Sequence, residues 1–164
     1  MMRLEQCDPI LCVAIREEAC HLFDQERSRF VDRSRSFVNR GLDGESSHYY
    51  SMRHDACPAD IRSWLGQIAP RLPDHELDQA YINVYPPGSF IPPHRDVTRE
   101  GHRAMVVVPL QSHPTQGLTW YGEMAKSHHV IDEVGRAVIF ESLAVVHAVP
   151  AVTELRLSIV YLYR

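Results

Sequence analysis

The triplet His94-Arg95-Asp96 sets an imidazole and a carboxylate two residues apart. On extended chain such residues project to the same side, where both reach one metal ion. With ten His and ten Asp among 164 residues, composition alone yields about 0.6 such triplets by chance, so the motif means little by itself. Its company is more specific. His147 sits on a late apolar segment, and nine residues further on Arg156-Leu157-Ser158 is the only R-x-S triplet in the chain.

Two His and one carboxylate on one face leave coordination positions open, as ferrous iron needs to accept a bidentate 2-oxo acid and then dioxygen. Zinc would not require the arginine. The C-terminal segment alternates: Leu155, Leu157, Ile159, Tyr161 and Tyr163 point one way, Arg156, Ser158, Val160 and Leu162 the other. A guanidinium buried on that second face must be paired. A ligand carboxylate gripped by the fork and the Ser158 hydroxyl is one fitting partner. A protein acid such as Glu141 or Glu154 is the other. Upstream, Tyr81, Asn83 and Tyr85 alternate against Ile82 and Val84, giving a polar strand face before Pro86-Pro87-Gly88 turns the chain.

These residues need a scaffold of short strands. From about residue 79 the pattern is period-two alternation broken by Pro and Gly, predicting strands at 79–85, 90–95, 103–110, 118–121, 127–132, 136–141, 145–149 and 155–163. Eight short strands without an intervening helix indicate a mainly β fold, a jelly roll. Two helices precede them and back one sheet. Asp8-Pro9 opens the first, over about 9–28; the second starts near Pro58, buries Ile61, Trp64, Leu65 and Ile68, and stops at Pro70. Residues 31–56 suit short strands and a loop. The expectation is one domain over 1–164, with 1–78 as helical support and substrate-side loops and 79–164 as the jelly-roll core.

A net charge of −4 disfavours a polyanionic partner. No 18-residue apolar run or basic leader is present, so a cytoplasmic protein without membrane contact is expected. The four cysteines, Cys7, Cys12, Cys20 and Cys57, form no C-x-x-C pair, which suits reduced thiols.

H-x-D, a distant His and then R-x-S resemble the 2-oxoglutarate/iron(II) dioxygenase superfamily over roughly residues 79–164. The resemblance implies a double-stranded β-helix, iron(II) held by His94, Asp96 and His147, and the distal carboxylate of 2-oxoglutarate on Arg156 and Ser158. Asn83-Val84-Tyr85-Pro86-Pro87-Gly88 is similar to the N-x-Y-x-x-G entry of the AlkB-like branch, which implies that Asn83 and Tyr85 also touch 2-oxoglutarate. The chain departs from that branch at Leu162, where a second arginine is usual.

The chemistry implied consumes dioxygen and converts 2-oxoglutarate to succinate and carbon dioxide while a prime substrate is hydroxylated. Asp96 stands where related halogenases carry a small residue, which disfavours halogenation. The charge balance and compact size favour a small molecule, such as an amino acid or biosynthetic intermediate. The alternatives are an AlkB-like demethylase of nucleic acid, a protein side-chain hydroxylase, and a non-catalytic jelly-roll metal-binding module. Tyr49, Tyr50, Arg53, His54 and Trp120 are the candidates to contact substrate, each equally suited to packing. Of the adjacent His128 and His129, at most one faces inward.

Overall fold

Asp8 starts the first helix through its side chain, which accepts hydrogen bonds from the backbone N–H groups of Ile10 and Leu11 at 2.8 and 3.4 Å, while Pro9 takes the first helical position. The computed structural model describes residues 2–35, 41–44, 46–96 and 101–164. Helix α1 (Pro9–Gln25) buries Cys12, Ile15, Ala19, Leu22 and Phe23 along one stripe. It ends three residues earlier than expected and gives way to a single 3₁₀ turn at Arg27–Arg29. Helix α2 (Ala59–Ile68) buries Ile61, Leu65 and Ile68. Neither is long and apolar enough to cross a membrane.

The strands are β1 (Met2–Gln6), β2 (Val31–Asp32), β3 (Tyr50–Arg53), β4 (Leu77–Tyr85), β5 (Ile91–His94), β6 (Ala104–Pro109), β7 (Gly117–Tyr121), β8 (Ser127–Ile131), β9 (Arg136–Phe140), β10 (Val146–Val149) and β11 (Arg156–Tyr163). They form a seven-stranded antiparallel sheet in the order β1-β9-β6-β11-β4-β3-β2 and a four-stranded one in the order β5-β10-β7-β8. This is a jelly roll, and all eight expected strands occur within two residues of their expected ends. Strand β1 was not foreseen. It lies along β9 with its side chains largely exposed, so it carries no apolar alternation to betray it. In the 31–56 region β2 and β3 are short strands, as expected; residues 36–40 and 45 lie outside the described residues.

Period-two alternation sorts side chains of the large sheet into two cores. Ala80, Ile82 and Val84 of β4, with Leu157, Ile159, Tyr161 and Tyr163 of β11, pack against the helices. Two hydroxyls on that face reach helix-side carbonyls: Tyr161 donates to Leu65 O at 2.8 Å and Tyr163 to Pro70 O at 2.6 Å. The opposite faces supply Tyr85 and Leu162 to a second core, where Met105, Val107, Leu118, Phe140 and Val149 meet them between the sheets. Gly88, at φ +85°, closes the turn after β4, with Ser89 N–H donating to Pro86 O at 2.9 Å. That turn delivers β5 to the mouth between the sheets.

The cysteines are free; Cys7, Cys12 and Cys57 are buried and Cys20 is half-buried. Burial pushes the Cys12 thiol up to about 11 and the Cys57 thiol up to about 12, so both are protonated and unreactive at neutral pH.

Candidate metal centre

His94 closes β5 and His147 lies in β10, and the antiparallel register sets them directly opposite each other, ring centroids 4.2 Å apart. Asp96, two residues beyond His94, turns its carboxylate to both: Oδ1 is 3.5 Å from His94 Nε2 and Oδ2 is 3.2 Å from His147 Nε2. The candidate ligand atoms of the three lie within 4.8 Å of one another, and no other three His, Cys, Asp or Glu among the described residues do so. The rings are aimed from behind. His94 Nδ1 is 3.0 Å from Pro92 O and His147 Nδ1 is 3.1 Å from Val145 O. Each ring protonated at Nδ1 donates to its carbonyl and directs the Nε2 lone pair to the shared point, the arrangement by which metal-binding histidines are oriented.

Charge reinforces this geometry. Burial opposes ionisation of Asp96, but the imidazoles of His147 and His94 beside it override that and hold the carboxyl well below the usual carboxylate range. Burial likewise disfavours charge on His94, and Asp96 overrides it, raising the His94 pKa. Two imidazole nitrogens and one carboxylate, without sulfur, fit a divalent iron with positions left open.

The triad opens on a cavity of about 370 Å³ between the sheets, whose lining includes Tyr49, Tyr81, Asn83, Tyr85, Arg33 and Arg95. Tyr49 stacks on Tyr85 with centroids 5.4 Å apart and planes 18° apart, and Asn83 Nδ2 donates to Tyr85 Oη at 3.3 Å. In the β4–β11 ladder Arg156 faces Tyr85 and Ser158 faces Asn83, so these four share the inner face.

The partner of Arg156 differs from both acids considered from sequence. Glu141 pairs with Arg3 and Glu154 with His113. Asp132 takes Arg156 instead, with Nε to Oδ2 at 2.6 Å and Nη2 to Oδ1 at 3.0 Å, both side chains buried. The pairing is incomplete. Arg156 Nη1 and Ser158 Oγ are buried without a hydrogen-bond partner, a costly state that a bound carboxylate would relieve. Asp132 follows β8 on the same parity as the half-buried His128 and Val130, so strand alternation marks it as inward-facing without showing that Arg156 is its partner.

The residues expected to contact substrate separate. Tyr49 lines the cavity. Tyr50, on the opposite strand face, packs edge-on against Phe23 of α1 at 5.2 Å. Arg53 is half exposed and pairs with Asp55, and His54 Nδ1 accepts from Ala80 N–H at 3.4 Å. None of these three lines the cavity. Trp120 sits opposite His147 on β7, its ring stacked on His128 at 4.3 Å and its Nε1 buried without a partner. His129 contacts Thr119 Oγ1 and Thr115 O. Sequence reasoning missed Arg33, which lies in a segment without periodicity, and His102, which lines the cavity and sits 2.6 Å from Asp78.

No protein-family model and no curated protein sequence matches the chain. Solved structures do. A prolyl-4-hydroxylase from Pseudomonas putida superposes with a TM-score of 0.69 at 20% identity, covering 99% of this chain and 91% of that one. A prolyl hydroxylase from Trichoplax adhaerens, in complex with a hypoxia inducible factor oxygen degradation domain peptide, gives 0.68 at 13% identity over 99% and 82% of the two chains. The non-heme alpha ketoglutarate dependent carbocyclase SnoK of nogalamycin biosynthesis gives 0.70 at 11% identity over 99% and 78%. The chain has the jelly-roll fold of the 2-oxoglutarate and iron oxygenases.

Proposed function

We propose that this protein is an iron(II)- and 2-oxoglutarate-dependent dioxygenase that hydroxylates a small molecule such as an amino acid or a biosynthetic intermediate. The observation that carries the reading is the convergence of His94 Nε2, His147 Nε2 and the Asp96 carboxylate on one point at a cavity between the sheets. Iron(II) bound there with 2-oxoglutarate and dioxygen would supply oxidation of an unactivated C–H bond.

The chain's own residues hold and orient. Pro92 O and Val145 O fix the ring tautomers, so no proton occupies Nε2 when metal binds. Arg156 Nη1 and Ser158 Oγ, both buried without a hydrogen-bond partner, would receive the distal carboxylate, and Asp132 would keep the guanidinium edge turned to it. Asn83 and Tyr85 border the same place on the neighbouring strand. Tyr49, stacked on Tyr85, walls off the side toward β3.

A cavity of about 370 Å³ falls in the range of small-molecule sites, about 300–1,000 Å³. A second reading, hydroxylation of a protein side chain, draws on the similar Trichoplax enzyme, whose structure contains a peptide. Aerobic incubation with Fe(II) and 2-oxoglutarate, followed by mass spectrometry against amino acids, peptides and methylated oligonucleotides, tests both. Succinate and a one-oxygen gain in one class are expected. Absence of succinate, with His147→Ala indistinguishable from the wild type, would leave only a non-catalytic binding module.

A further inference from the structure

Among the described residues, Arg33 is an arginine held at one end and free at the other. Its backbone N–H donates to Tyr49 O at 2.9 Å, and its Nε donates to the buried Ser51 hydroxyl at 2.6 Å. The guanidinium carbon stands 5.6 Å from the centre of the Tyr81 ring. Nε and the stem are thereby fixed, while among the described residues no carboxylate lies within ion-pair distance and no acceptor meets Nη1 or Nη2. Arg95 lines the same cavity at its exposed mouth, with Nε donating to Ala144 O at 3.1 Å and likewise no described carboxylate partner. Tyr49 lines the same cavity as Arg33 and the triad, and its phenol feels both the Arg33 guanidinium and the Asp96 carboxylate. The only cation the resemblance assigned to this site, Arg156, is already neutralised by Asp132.

We infer that Arg33, assisted by Arg95, binds an anionic group of the prime substrate, a carboxylate or a phosphate monoester, and so sets the substrate's reacting carbon toward the triad. This rests on the dioxygenase reading. A fork pre-fixed through Nε by a hydroxyl and an aromatic ring gives up little further freedom on binding, and its remaining edge matches the two oxygens of such an anion. The site selects for charge in a cavity whose other walls are largely aromatic and aliphatic.

The test uses protein loaded with Mn(II) and 2-oxoglutarate under nitrogen. The probes are N-acetyl amino acids, each as free acid and as carboxamide, with phosphoserine against serine as the phosphate arm. Binding near the metal is read from Mn(II)-induced broadening of ligand protons. In the wild type an anionic probe of one arm should bind at least about tenfold tighter than its neutral counterpart, as charge-assisted hydrogen bonds imply. Arg33→Met should remove that preference, Arg33→Lys should keep part of it, and Ser51→Ala, which frees Nε, should weaken it. Affinity for 2-oxoglutarate should stay within about twofold throughout. Equal binding of acids and amides, no binding of any anion, or a preference surviving in Arg33→Met overturns the inference. So does loss of 2-oxoglutarate binding in that variant, which would assign Arg33 to the co-substrate. A protein that forms no succinate but keeps an Arg33-dependent preference would refute the dioxygenase reading and leave the anion site standing.

Discussion

Asp132 grips Arg156 with both carboxylate oxygens, at 2.6 and 3.0 Å, in a site where both side chains are buried. The arginine that the sequence marks as a carboxylate binder thus already has a permanent carboxylate on one edge, and only Nη1 lacks a partner.

Removing one member of that pair should cost more than removing both. Asp132→Ala strands a buried guanidinium and should destabilise the fold by about 3–5 kcal/mol, a fall in Tm on the order of 10 °C. Adding Arg156→Met should recover much of the loss, because the uncompensated charge disappears. Thermal unfolding of the two single variants and the double variant checks this, and additive losses would contradict it.

Tyr49 and Tyr50 should behave as opposites despite being adjacent. Tyr50 packs on Phe23 beneath the helices, so Tyr50→Ala should lower stability by about 2 kcal/mol and leave 2-oxoglutarate affinity unchanged. Tyr49 stacks on Tyr85 inside the cavity, so Tyr49→Ala should weaken 2-oxoglutarate binding. Paired measurements of Tm and of the dissociation constant separate the two.

Metal affinity should depend on pH with a definite sign. His94 has a raised pKa in the metal-free protein and must be neutral to bind metal. Affinity is therefore full above that raised pKa and lost as pH falls through it, with proton release on binding. Asp96, whose pKa is lowered, is already ionised and contributes no proton. Calorimetric titration with Mn(II) at pH 8 and pH 6, in buffers of different ionisation enthalpy, should show tighter binding at pH 8 and a buffer-dependent heat. Equal affinities would contradict the prediction.

Loading the triad should stabilise the protein by mass action. Metal at a hundredfold excess over its dissociation constant adds about 2.7 kcal/mol, so chelation should lower Tm by several degrees. Asp96→Ala should abolish the difference, and a wild-type Tm insensitive to chelator would argue against a metal at this site.

Much of this was legible from sequence because it rests on short-range rules. Strand alternation placed Arg156 and Ser158 on one face, and H-x-D put His94 and Asp96 side by side. The cross-strand register that sets His147 opposite His94 depends on how distant segments pair, which spacing does not encode. The same limit hid the Asp132–Arg156 pair, which closes across 24 residues, and the cavity position of Arg33, which depends on β3 lying beside β4. Tyr49 and Tyr50 looked alike because a short strand in a polar region carries no apolar pattern to say which of them faces in.

The most direct measurement is equilibrium binding of 2-oxoglutarate under nitrogen, with and without Fe(II), in the wild type, His147→Ala and Arg156→Met. Binding that needs Fe(II), is lost in His147→Ala and weakens at least about tenfold in Arg156→Met is the expected result. Binding indifferent to iron and to both substitutions, or no binding at all, would contradict a 2-oxoglutarate site built on His94, Asp96, His147 and Arg156.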